Sequence, residues 1–121
     1  MSGKTMKQIV EIFKILGDEN RLRILLMLRQ RPLCVCEITE ALGVAFSTVS
    51  AHLKLMKSVG VVVDKKEGRW VTYSLSKDID FLNKLLDYLE KSVSQEPVII
   101  KDRNFISKTT RELCAAKIRE R

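Results

Sequence analysis

The sequence predicts a mainly α-helical fold carrying one small β-hairpin, an α+β arrangement, and three observations predict it. Residues 36–58, CEITEALGVAFSTVSAHLKLMKS, hold two short helical patterns split by Gly43. Ile38 and Leu42 stand four apart, and Val49, Leu53 and Met56 follow at spacings of four and three, each set on one helical face. Glycine suits the position just past a helix end. Second, the β-branched run Val61, Val62 and Val63, a Glu67-Gly68 turn and the alternating residues 69–75 read as the two strands of a hairpin. Third, leucine-rich helical patterns flank these segments on both sides. Two helices joined through a glycine-containing turn are a helix-turn-helix. With a hairpin behind it, the expected architecture is a winged helix-turn-helix.

Each element can be justified in order. Residues 6–16 form a first helix whose broad apolar face holds Ile9, Val10, Ile12, Phe13 and Leu16, and Gly17 ends it. Asp18 caps a second helix running to about residue 30, because its carboxylate can accept from exposed backbone N–H groups. Leu22, Leu25, Leu26 and Leu28 point inward there, and Pro32 stops the helix. Residues 33–35 are extended, and Cys36 stands where the third helix begins. The recognition helix follows, with Ala45 at its cap position, and fades near Gly60. After the hairpin, Asp78 caps a helix to about residue 94, with a stripe of Ile79, Leu82, Leu85, Leu86, Leu89 and Val93. That stripe is long for one small domain, and a symmetric helix–helix dimer would use the surplus. Pro97 breaks the pattern. Residues 101–121 then read as a final helix, basic because seven Lys or Arg face three Asp or Glu. The expected organisation is a DNA-binding and dimerisation domain over residues 1–94 and a basic extension over 95–121.

Composition narrows the function. With 121 residues and 45% hydrophobic content the chain suits one domain with a normal small core. Lys and Arg total 22 against 15 Asp and Glu, a net charge of +7, which favours a polyanionic partner, nucleic acid first. No apolar run approaches the ~20 residues of a membrane span, and no signal-peptide block follows Lys4 and Lys7, so a cytoplasmic location is expected. An enzyme finds no support: there is one histidine, no glycine-rich phosphate loop and no nucleophile–base signature.

With Val49 on the inner face of the recognition helix, Ser47, Ser50, Ala51, Lys54 and Ser58 fall on the outer one, which is short, polar and basic. Such a face can enter a DNA major groove, where small hydroxyls or a lysine reach base edges and phosphates. The candidate DNA contacts are Ser47, Thr48, Ser50, His52, Lys54 and Lys57 from this helix, with Lys65, Lys66 and Arg69 from the hairpin tip. His52 is structural or DNA-facing. A constitutive DNA binder with inert thiols is the rival reading.

The second informative stretch is Leu33-Cys34-Val35-Cys36-Glu37. Three cysteines, two of them only two apart, do not suggest a disulfide framework. Thiolates select soft metals and metalloids. At a helix N-terminus the dipole is expected to lower the thiol pKa of Cys36. A spacing of two is awkward, however. In a strand the side chains point to opposite faces, and in a helix they stand ~200° apart. Cys34 and Cys36 share one ion only where the backbone leaves regular structure. Two buried structural cysteines remain the alternative.

The segments LGDENRLRILLML, LCVCEITEALGV, STVSAHLKLMKSVGVV and EGRWVTYSL, in that order and spacing across residues 6–94, resemble the ArsR/SmtB family of metal-responsive transcriptional repressors. The resemblance implies a homodimer on double-stranded operator DNA with an inverted repeat. It also implies that LCVC resembles the arsenic- and cadmium-sensing members. Cys34 and Cys36 would then bind As(III), with Sb(III) or another thiophilic ion as a variant, and no organic cofactor would be needed. Binding would release the DNA. A Cd(II)/Pb(II) sensor or a thiol-redox sensor on the same fold is the alternative. Three departures from the pattern matter. Thr39 stands where arsenite sensors of this type often carry a third cysteine, residues 1–33 lack the cysteines of cadmium and lead sensors, and residues 78–94 lack the histidines of zinc sensors. Cys114 is the remaining sulfur, a possible third ligand that reaches the pair only if the tail folds back or crosses to a partner. Nothing in the sequence positions the tail, so the expectation is that Cys114 packs within it.

Overall fold

The first two helices meet where glycine and a capping carboxylate put them. The computed structural model describes residues 5–119. Helix α1 spans Met6–Leu16 and ends at Gly17, whose N–H donates to the carbonyls of Phe13 and Lys14. Helix α2 spans Glu19–Leu28, and the Asp18 carboxylate accepts from the Arg21 N–H at 3.0 Å. It stops slightly short of residue 30 and is buried on every side from Arg23 to Leu28, the signature of a central helix. Burial of Ile24, Leu25, Leu26 and Leu28 contributes roughly 1.5–3 kcal/mol each.

The chain then changes backbone type within a few residues. Strand β1 is Leu33–Cys34, and helix α3 runs Val35–Leu42 with Cys34 as its N-cap, so the helix starts one residue earlier than expected. Gly43, at φ 69°, adopts the left-handed conformation that only glycine takes easily and turns the chain into α4, Phe46–Val59. Ala45 is the N-cap of α4, and no side chain bonds there. Strands β2 (Val62–Glu67) and β3 (Trp70–Leu75) form the hairpin, turning at Gly68, φ 62°. The segment expected only to be extended does more: β1 pairs antiparallel with β3, Leu33 opposite Tyr73 and Cys34 opposite Thr72, giving a three-stranded sheet in the order β1-β3-β2.

Two expectations about the C-terminal half are corrected. Asp78 does not cap the next helix: α5 runs Asp80–Val93 with Ile79 at the cap, and it is Asp80, in the first turn, that faces the positive end of the helix. Pro97 does not break a helix but begins one. It occupies the first turn of α6, Pro97–Lys108, where a missing N–H is no loss. The predicted single tail helix is thus two, divided at Thr109 and Thr110, with α7 over Arg111–Arg119. Its expected end at residue 121 lies outside the described residues.

The tail folds back onto the body of the molecule. Helix α6 packs on α2 and α3, and α7 packs on α3. Ile106 joins the core cluster formed by α1 to α5 and the start of the sheet. The bond that fixes this arrangement is buried. Arg23 Nε and NH2 each donate to the Asp102 carboxylate at 2.8 Å, with Asp102 only 3% exposed. That carboxylate holds the guanidinium pKa above its ordinary value. Lys101 adds a bond to the Ala41 carbonyl at the end of α3, at 3.2 Å. Removing one partner of a buried pair leaves the other charge uncompensated, a loss of about 3–5 kcal/mol. Asp102→Ala is therefore expected to lower unfolding stability by that amount in urea titration, with faster amide exchange in α6 and α7 than in α4. Unchanged exchange in α6 would show that the pair does not hold the tail.

Candidate functional site

The two thiols of the LCVC stretch meet because the backbone switches between them. Cys34 is extended, φ −88° and ψ 164°, as the last residue of β1, while Cys36 lies in the first turn of α3. Neither regular spacing applies across this junction, and both sulfurs fall on one side, 2.7 Å apart, as free thiols. The junction is held by Glu37. Its buried carboxylate accepts from the Cys34 N–H at 3.0 Å and from Arg31 at 2.8 Å. The same Arg31 nitrogen donates to the carbonyls of Ile106 and Thr109 at 3.0 Å, tying the thiol junction to the end of α6.

The expected thiolate character of Cys36 is corrected. Burial pushes the Cys36 thiol far above its ordinary value, and the adjoining Cys34, Cys114 and Glu37 push the same way. Burial likewise raises Cys34 and Cys114. A helix terminus is worth about 0.3–1 kcal/mol, while desolvation of a charged group moves a pKa by up to several units, so burial wins. The site holds two neutral, soft donors in contact.

Thr39, one turn along α3 from Cys36, has a buried hydroxyl with no hydrogen-bond partner among the described residues. The two soft sulfurs fit an incoming thiophilic group, whereas a hydroxyl oxygen is a poor donor to one. Among the described residues, though, no three His, Cys, Asp or Glu side chains are already grouped as a metal-ready set.

The thiol junction touches the wing twice. Cys34 is itself paired with Thr72 of β3. Arg111, whose carbonyl accepts from the Cys36 thiol at 3.8 Å, bonds Glu67 at 3.3 Å and lies over the Trp70 ring at 5.2 Å. Arg69 covers that ring too, at 5.1 Å.

The predicted DNA-facing residues divide into three groups. Ser47, Thr48 and Lys54 are exposed on α4 and Ser50 is half-buried, while Val49, Leu53 and Met56 are buried beneath them. Lys65, Lys66 and Arg69 are exposed on the wing. Lys57 is exposed but ion-paired with Asp64 of β2 at 2.9 Å. His52 points inward, its Nδ1 3.4 Å from Arg21 and its Nε2 4.0 Å from Asp18, so it pins α4 to the start of α2. Sequence reasoning missed Phe46, an exposed aromatic at the start of α4, and Arg31, Glu37 and Arg111 around the thiols. The only early signal for Glu37 was its place three residues after Cys34, the spacing of a capping carboxylate.

Against known proteins, the family described as "Bacterial regulatory protein, arsR family" matches residues 18–63. The "Transcriptional repressor SmtB homolog" of Synechocystis sp. is 34% identical over 94 residues, covering 76% of this chain and 71% of that one. The chain belongs to the ArsR family of bacterial regulatory proteins. A second relative, the "Arsenical resistance operon repressor" of Escherichia coli K12, is 44% identical over 71 residues, 58% of this chain and 61% of that protein. The chain thus spans somewhat under two thirds of that relative's length. Among solved structures, the homodimeric winged helix-turn-helix DNA-binding domain of Mb0332 from Mycobacterium bovis, a possible ArsR-family regulator, superposes with TM-score 0.63 at 26% identity, covering 80% of this chain and 94% of that one. The winged helix-turn-helix expected from the sequence is therefore the fold of this ArsR-family chain, and the family is one of regulators, not enzymes. No helix among the described residues is long and apolar enough to cross a membrane.

Proposed function

We propose that this chain is a dimeric cytoplasmic repressor that binds operator DNA through α4 and the wing and releases it when As(III) is taken up by Cys34 and Cys36. The observation that carries the reading is the thiol junction: two free sulfurs in contact, one of them on Cys34, whose backbone is paired with the wing strand. Soft sulfur donors select As(III), Sb(III) and other thiophilic ions over hard cations. The name of the Escherichia coli relative supports arsenic. Ser47, Thr48 and Ser50 would meet base edges, and Lys54, Lys65, Lys66 and Arg69 the phosphates. Lys57 would reach DNA only by leaving Asp64, and His52 would act by holding α4 in place. A cadmium, lead or oxidant response would use the same thiols, and titration of each ion under thiol-free reductant separates these.

Dimerisation is supported by an apolar face that a single chain leaves open. Met6 (81%), Phe13 (53%) and Tyr88 (69%) are exposed on α1 and α5, and Val10 is exposed beside them although the sequence placed it on a buried face. Phe13 packs edge-on against Phe81 with ring centroids 6.0 Å apart, joining the two helices into one surface. Leu85 and Leu89 are half-buried at its edge. A second copy meeting this surface about a two-fold axis would place two α4 helices one DNA turn apart, ~34–36 Å, on an inverted repeat.

Three outcomes test the proposal. Lys54→Ala and Lys65→Ala should each weaken operator binding and reduce the salt slope by about one, while Ser50→Ala should relax sequence preference. Unchanged salt slopes in both lysine variants would move the DNA contact elsewhere. Cys34→Ser and Cys36→Ser should each keep operator affinity and lose its response to arsenite, and a parental response in either ends the thiol reading. Leu85→Glu should sediment as a monomer and lose at least about tenfold in operator affinity, the equivalent of 1.4 kcal/mol; a folded, DNA-competent monomer would remove the dimer.

A further inference from the structure

We infer that Cys114 is the third sulfur of the thiol site, supplied by α7 of the same chain, so that the site takes a trivalent thiophilic metalloid on three sulfurs. This deepens the arsenite reading and rests on it.

The condition the sequence left open is met, because α7 lies on α3. The Cys36 thiol reaches the Arg111 carbonyl at 3.8 Å. In an α-helix that carbonyl points along the axis toward residues three and four further on. Cys114 is three further on, and its side chain therefore starts beside the Cys36 sulfur. Cys114 is 2% exposed, so it faces the body of the molecule. Its sulfur rests 3.2 Å from the Thr109 hydroxyl, and Thr109 lines the same cleft as Cys34. Cys36 and Cys114 are near enough for a charge on one to be felt by the other. To join the pair the Cys114 sulfur must leave the Thr109 hydroxyl. Thr39 occupies the place on α3 where a third thiol would otherwise stand, and its buried hydroxyl makes no hydrogen bond among the described residues.

The chemistry balances without an oxidant. Arsenous acid has three As–O bonds. Three neutral thiols replace the three hydroxides, three As–S bonds form, and each thiol proton leaves on a water molecule. Drawing Cys114 inward also moves α7, and with it Arg111, which holds Glu67 and covers Trp70. Trp70 is the only tryptophan, so its fluorescence reports the wing.

The test uses the full-length reduced chain, inorganic arsenite and a phosphine reductant, so that no outside thiol can complete the site. In the parent, one equivalent of arsenite should protect three thiols from a disulfide reagent, X-ray absorption should count three sulfur neighbours, and Trp70 emission should change with the same midpoint. Cys114→Ser should keep two sulfurs, bind arsenite at least tenfold more weakly and lose most of the Trp70 change. Adding Thr39→Cys to Cys114→Ser should restore the three-sulfur count. Two protected thiols in the parent, or parental arsenite affinity in a folded Cys114→Ser protein, would overturn the inference while leaving the Cys34–Cys36 reading intact. A parent that binds no arsenite would instead remove the reading on which it rests.

Discussion

The buried pair between Arg23 and Asp102 is the constraint on which the arrangement of this molecule depends. Arg23 lies in the most buried stretch of α2, where an unmatched guanidinium would be intolerable. Its carboxylate comes from 79 residues further along the chain. Satisfying it with two short bonds requires α6 to lie against α2, and α7, joined through two residues, must then fall over α3. Relative to an apolar pair of similar size such a bridge adds little net stability. What it supplies here is position: most other tail placements would strand a charge in the core.

A second consequence follows at the entrance to α3. Glu37 serves at once as capping acceptor for Cys34 and as partner for Arg31, and Arg31 in turn takes up carbonyls at the end of α6. The thiol junction is thereby braced from below by the tail and from the side by β3. A change in the sulfurs has two short routes to the wing, one through the strand pairing at Cys34 and one through Arg111 and Trp70. Both routes are contacts between elements with discrete packing arrangements, the kind of element through which a ligand shifts a distant surface.

The side proposed to face DNA follows a different logic. The inner stripe of α4 is apolar and fully buried, so rotation of that helix is fixed by the core, and its outer residues inherit their direction. His52 and Arg21 add a polar pin at the joint with α2. The serines and lysines of the outer face need no tertiary partner to be presented, and for that reason periodicity could locate them.

The sequence by itself determined the elements whose cause is local. The 3.6-residue spacing of Val49, Leu53 and Met56, the glycines at positions 43 and 68, and the cap at Asp18 are each read from a few neighbouring residues, and the structure has them all. It also placed two thiols at a backbone transition, and stated that they could meet only if regular structure was broken there. The tertiary structure decided what depends on distant residues. It turned Pro97 from a breaker into a helix start, because helix formation after it is supported by packing on α2 and α3. It made the thiols neutral rather than anionic, because burial outweighs a helix dipole. And it carried Cys114 and Arg111 to a site some 75 residues away in sequence, through a charge pair whose two members give no sign of each other in the chain, since long-range electrostatic complementarity has no period to be read.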